Sequence, residues 1–190
     1  EEKLAATKIL ELPFELDSTL LSKKQKSSNL NNACIQLLSH NFSNTEDEND
    51  DYYIKETLRI NKLKTTNKYK EYVDQLDLAN LKDATAGLMG RIEVKDTAFI
   101  FWTIHYSSYE ACPFYTGNEY FCSVNVNGKI IKSMKIGAIV TSADAPMVCE
   151  EYQLCTLTKD YMLKKRIYNE CSEDNQITEK TKRKEMVKLF

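Results

Sequence analysis

The sequence predicts an all-β, disulfide-bonded protein with one C-terminal helix, its strands joined as an antiparallel meander or barrel. Three observations predict this. Strand-like segments follow one another without intervening helices, which argues against a doubly wound sheet. Only one later segment repeats its apolar residues at helical spacing. Six cysteines, widely spaced and with no Cys-x-x-Cys, favour three disulfides in an oxidising compartment. A length of 190 residues suits one domain with its own core.

The elements are read in order. Residues 1–10 read as a short helix or an ordered lead-in, with Leu4, Ile9 and Leu10 as its apolar surface. From Pro13 the pattern turns extended, through "PFELDSTLL" and then "ACIQLLSHNF". Residues 44–51, "NTEDENDD", form a solvated acidic loop. "YYIKETLRINKL" alternates, placing Ile54, Glu56, Leu58 and Ile60 on one strand face. In "YKEYVDQLDL" a strand would do the same for Tyr72, Asp74, Leu76 and Leu78.

"LMGRIEV" and "DTAFIFWTIHY" make two strands joined around Lys95-Asp96, the second apolar on both faces over 98–102. Asn127-Gly128 is the strongest hairpin signal in the chain. After Ala145 the texture changes. Asp144 can cap, Pro146 suits a first helical position, and Val148, Tyr152 and Cys155 recur at helical spacing. This places the one helix at about 146–156 within a single domain, 1–171. Residues 172–190 read as a charged tail, a frayed amphipathic helix in preference to a basic recognition motif.

Lys and Arg number 26 against 28 acids, a net charge of -2, so no global field draws nucleic acid or an anionic membrane. No apolar run approaches the roughly 20 residues a membrane span needs, so no membrane insertion is expected. The chain starts at Glu1-Glu2-Lys3, and secretion would mean a signal already removed. The tripeptide Asn41-Phe42-Ser43 makes Asn41 a glycosylation acceptor.

Catalytic signatures are missing: there is no G-x-S-x-G, no phosphate-cradling glycine loop and no H-E-x-x-H. With only His40 and His105, no zinc spacing can be assembled. The expectation is a binding protein without enzymatic activity, cofactor or metal. Glu56 and Asp74 fall on faces that otherwise look buried, where an unpaired carboxylate is costly. With Tyr72, Trp102 and Tyr106 they would line an interior site suited to a cation or amine. The alternatives are core packing for Trp102, and for the carboxylates an internal hydrogen-bond network or a face assigned backwards. Outside the interior, the acidic loop, the tyrosine-rich loop 106–120 and the loop 141–146 would carry partner contacts. Tyr109, Phe114, Tyr115 and Tyr120 supply the large amphipathic side chains that dominate interfaces.

Two stretches carry a family resemblance. "WTIHYSSYEACPFY" is similar to a strand of tick salivary lipocalins in which an aromatic run leads into a cysteine. "APMVCEEYQLCTLTKDYMLKKRIYNEC" resembles their closing segment, with a cysteine-bearing helix and a final Tyr-x-x-Cys. The resemblance implies an eight-stranded antiparallel barrel, closed at one end, with a pocket inside and the C-terminal helix against its wall. It implies the pairs Cys34–Cys171, Cys112–Cys149 and Cys122–Cys155, in a secreted monomer that suppresses host immune or inflammatory defence. Its partner would be a host protein such as a complement component, or a small host mediator: histamine, serotonin, a leukotriene or a sterol. This chain departs from the pattern: the general lipocalin Gly-x-Trp is absent, Pro113 replaces the acid after Cys112, and the Glu-Leu-aromatic is displaced to Glu119-Tyr120-Phe121. These departures weigh against amine scavenging and put the host protein first, with the small-mediator carrier second. A disulfide-bonded β-sandwich adhesion or decoy module is the alternative outside the family.

Overall fold

The computed structural model describes residues 7–17, 28–42, 51–74, 81–108, 114–174 and 176–189. Its frame is an antiparallel meander of long strands: β3 (Leu81–Val94), β4 (Thr97–Ser108), β5 (Phe114–Val126), β6 (Lys129–Asp144), β7 (Met147–Leu157), β8 (Met162–Glu173) and β9 (Gln176–Lys188). Tight turns make the meander possible. Lys95 and Asn127 hold φ of 51° and 50° and Gly128 holds 84°, as two-residue hairpin turns require. Both expected hairpins therefore form where the sequence places them.

Two short strands complete the sheet. β2 (Ser28–Asn29) pairs with β3 at one edge, and β1 (Phe14–Leu16) pairs with β7 off the main path. The strand order runs from β2 to β9. Those two edges do not pair within the described residues, so the expected barrel is an open sheet.

One local event shapes the molecule. β6 pairs with β7 only from Ala138 to Asp144, and beyond that β1 stands beside β7, with Phe14 opposite Leu157 and Leu16 opposite Cys155. Gly137 marks the split: a Cβ there would collide with the Leu16 side chain and lie 2.9 Å from the Gln153 carbonyl. Past this point β1 and the adjoining halves of β7–β9 lie over one face of β3–β6. Between these layers sits a cluster that includes Leu16, Phe99, Phe101, Cys122, Met134, Cys155, Leu157 and Leu163.

The other face of β3–β6 carries Ile100, Trp102, Ile104, Tyr106 and Phe121, the even residues of β4 among them, as strand alternation dictates. Helices cover it: α1 (Asn32–Leu38) and α2 (Tyr52–Thr65), with α3 (Tyr69–Asp74) following. Ser123 ties helix to sheet. Its hydroxyl accepts from Trp102 Nε1 at 2.8 Å, donates to the Leu38 carbonyl at 2.6 Å and lies 3.1 Å from Ser133 Oγ.

Several expected elements change type. "ACIQLLSHNF" begins with α1, not a strand, because Asn31 accepts from the Cys34 amide at 2.9 Å and Ile35 and Leu38 share the buried face. "YYIKETLRINKL" is α2. Ile54, Thr57 and Ile60 are buried at i, i+3 and i+6, and Leu58 packs partly against the same cluster. An alternating pattern and a helical one share many of these positions, and the Lys-, Leu- and Glu-rich composition favours the helix. "YKEYVD" is likewise helical, as α3.

The converse holds at the C-terminus. The expected helix at 146–156 is strand β7, with Gln153, Cys155 and Leu157 buried at alternate positions. Pro146 stands in the β6–β7 turn. The expected frayed tail is β9, and the expected boundary after 171 falls inside β8. Residues 1–6 and the acidic loop before Asp51 lie outside the described residues.

Candidate functional site

A cleft of about 410 Å³ opens between the first turn of α2 and the sheet face that α2 covers. Tyr53 and Tyr106 form its aromatic floor, their rings stacked at 3.7 Å and 10°. Gly117 leaves room for this, since a Cβ there would stand 3.0 Å from the Tyr106 hydroxyl. Beside the rings lies an ion pair, Lys135 Nζ 3.5 Å from Glu119 Oε1, with Glu119 only 3 % exposed. The bulge between Tyr120 and Phe121 sets Lys135 against Phe121 in the register and so brings it near Glu119. Ser142, Glu151, Asn169 and Glu179 extend the wall, and the Cys149–Cys171 disulfide closes it.

The electrostatics of the cleft are lopsided. Among the described residues, Glu119, Glu150, Glu151 and Glu179 face it together with Lys135. The Tyr106 hydroxyl is fully buried and makes no hydrogen bond among the described residues. The Tyr53 hydroxyl is its polar neighbour, and the two groups interact across the stacked rings. Burial, then the neighbouring Tyr53 and Glu119, push the Tyr106 hydroxyl far up, so it stays a proton donor. Tyr115 joins this cluster, its ring 6.4 Å from Tyr106, and is likewise pushed up by burial and then by Tyr52.

Of the five interior candidates, only Tyr106 reaches the cleft. Glu56 sits on α2, not on a strand face, and pairs with Arg59 at 2.5 Å. Arg59 also donates to the Tyr72 hydroxyl at 3.1 Å, while that hydroxyl donates to the Leu81 carbonyl at 2.5 Å, clamping α3 to the sheet. Asp74 is exposed at the end of α3. Trp102 is a core residue, stacked on Phe121 at 4.4 Å. A signal for Glu119 stood in the sequence: a lone acid inside the strand run "YTGNEYFCSV".

Among the partner-contact candidates, Phe114 is exposed at the start of β5, Tyr115 is half-buried, and Tyr120 is buried between the two sheet layers. Tyr109 lies outside the described residues. Asn41 is exposed, and its side-chain amide donates to the Ile130 carbonyl at 3.3 Å.

The disulfide is Cys149–Cys171, which replaces the expected Cys34–Cys171 and Cys112–Cys149 pairs. Its cause is register, since the two cysteines stand directly opposite on β7 and β8, with Cα atoms 4.0 Å apart. Cys34 is a free thiol on α1, and Cys112 lies outside the described residues. Cys122 and Cys155 remain thiols, although both are buried in one cluster and stand close enough to repel as thiolates.

These buried groups make stability alkali-sensitive. Burial pushes the Cys155 thiol up to about 12, and burial pushes Tyr120 up to about 12. Each folded value lies above the unfolded one, so the stabilisation is complete below about pH 9 for the thiol and 10 for the phenol. It is lost as pH climbs toward 12, by up to about 1.4 kcal/mol per pH unit per group. Thermal unfolding scans should show this fall steepening above pH 9, and Cys155→Ala should remove part of it. A midpoint independent of pH from 9 to 11 would contradict the burial of these groups.

No protein-family model matches the chain, and neither a curated protein nor a solved structure does. Among the described residues no helix is long and apolar enough to cross a membrane, and no group of three or more His, Cys, Asp or Glu could hold a metal ion. A disulfide in a chain of this composition fits an oxidising compartment.

Proposed function

We propose that the protein is a non-enzymatic carrier whose small, cationic, hydrogen-bond-accepting ligand occupies the cleft beneath α2. The observation that carries this reading is the buried Tyr106 hydroxyl, which lies at the cleft and makes no hydrogen bond among the described residues. A buried donor left unsatisfied costs roughly 1–3 kcal/mol, which a ligand acceptor would recover. The glutamates around the cleft favour positive charge on the same ligand. The setting implied by the tick salivary lipocalin resemblance, a secreted protein that removes a host mediator, belongs to this proposal. Histamine and serotonin are its first test ligands.

Native mass spectrometry of the purified protein and calorimetric titration with both amines test it. The expected result is a retained ligand, or binding tighter than about 1 mM, a threshold worth roughly 4 kcal/mol. Tyr106→Phe keeps the ring stack and should weaken binding about five- to tenfold, the worth of one hydrogen bond. An empty cleft that takes neither amine, or an unchanged affinity in Tyr106→Phe, ends the reading.

A second reading, capture of a host protein such as a complement component, has one observation in its favour. The register aligns Phe114, Ala143, Val148, Ser172 and Ile177 in one row across β5–β9, and Phe114, Val148 and Ile177 are exposed. Inhibition of complement lysis that is lost in Phe114→Ser, with no small ligand bound, would put this reading first.

A further inference from the structure

We propose that the outer face of β8 and β9 is a docking surface for a linear sulfated polysaccharide, independent of the cleft. The register brings Lys164 opposite Met186, Arg166 opposite Lys184, Tyr168 opposite Lys182 and Glu170 opposite Lys180. Strand alternation puts all of these side chains on one face, the one turned away from the cluster that holds Leu163. Lys164, Lys180, Lys182 and Lys184 are exposed there. The cations of β9 stand about 7 Å apart along the strand, and Lys188 continues the row.

The charges on this face are not balanced within the protein. Glu170 takes Lys180 at 2.6 Å and Glu15 takes Arg166 at 3.1 Å. Among the described residues Lys164, Lys182 and Lys184 have no carboxylate partner, and Lys182 lies 5.1 Å over the Tyr168 ring. Arg166 and Lys184 face each other directly, an arrangement that destabilises a sheet. Composition does not account for it, since the chain as a whole carries -2.

A bland explanation exists for part of the patch. β9 is an edge strand, and lysines on an edge discourage pairing with another chain. That explains β9 alone. β8 lies inside the sheet between β7 and β9, where Lys164 and Arg166 guard no edge. A straight row of cations, extended sideways onto the next strand, is complementary to a linear polyanion.

The chemistry of that polymer follows from the setting. In the extracellular setting that the disulfide fits, sulfated polysaccharides, not nucleic acids, are the abundant polyanions. An anionic membrane fits less well. The exposed apolar side chains of β9, Ile177 and Met186, stand near its opposite ends and form no patch to insert.

The test uses the whole protein on immobilised heparin with a salt gradient, followed by calorimetric titration with heparin and with heparin stripped of sulfate. Retention at physiological salt is expected, with little binding to the desulfated polymer. The triple variant Lys164→Gln, Lys182→Gln, Lys184→Gln should lose affinity about a hundredfold, at about fivefold per cation removed. A control with the same charge change, Lys62→Gln, Lys68→Gln, Lys70→Gln, should lose little. Lys184→Gln should melt no lower than the parent, because it relieves the Arg166–Lys184 repulsion, so loss of binding cannot be put down to misfolding. Flow-through of the parent protein overturns the proposal, as does equal loss in the control. So does preference for phosphatidylserine vesicles or an oligonucleotide over heparin.

Discussion

Replacing Trp102 by Ala should cost about 3–5 kcal/mol and bring the protein close to its unfolding threshold. Trp102 is fully buried in the cluster that joins helices to sheet, against Phe121. The surrounding β4 and β5 backbones are held in register along their length, so the cavity cannot collapse. The indole also donates to Ser123, whose own hydroxyl donates to the last turn of α1. Truncation therefore removes packing and leaves Ser123 short of one partner. Ser123→Ala is the companion variant: it keeps the ring but strands the indole N–H and the Leu38 carbonyl, at roughly 1–3 kcal/mol. Urea unfolding followed by circular dichroism measures both. If Trp102→Ala costs less than about 1 kcal/mol, the helix layer is not packed on β4 as described.

How legible was this fold in the sequence? The strand runs at 88–94, 96–106 and 120–140 were legible, because their turns carry strong local signals, Lys95-Asp96 and Asn127-Gly128; the start of β3 and residues 114–119 of β5, read as part of a loop, were not. The helices were not. In Ile54–Ile60 an apolar residue at nearly every second position satisfies a strand face and a helix face together, and only tertiary packing decides. At the C-terminus the error ran the other way. Val148, Tyr152 and Cys155 mimic a helical stripe, but β7 is buried through Gln153, Cys155 and Leu157, with a polar residue among them.

The site was harder still. Glu56 and Asp74 drew notice as acids on apolar strand faces, and that inference fell with the strands themselves. Tyr106 lies at the cleft on β4, a strand that the sequence reading placed correctly. Lys135 was invisible, since it approaches Glu119 through a bulge that no local pattern announces. Cysteine pairing failed for the same reason: six cysteines allow fifteen connectivities, and only strand register selects among them.

That register yields the second large expected effect. The double variant Cys149→Ser, Cys171→Ser should lose about 3 kcal/mol, the loop-closure entropy of a bridge between residues 22 apart in sequence. The β7–β8 hairpin keeps its ladder, so the variant should fold and stay cooperative. Its weakest part should be the end of the hairpin that walls the cleft, where Cys149, Glu151, Asn169 and Cys171 meet. Amide exchange should therefore quicken first at 147–151 and 169–173, while the core strands β4 and β5 stay protected. Reduction of the parent protein should reproduce both changes. Non-reducing peptide mapping supplies the sharpest check, and a Cys34–Cys171 or Cys112–Cys149 peptide in its place would mean that β7 and β8 do not pair in this register.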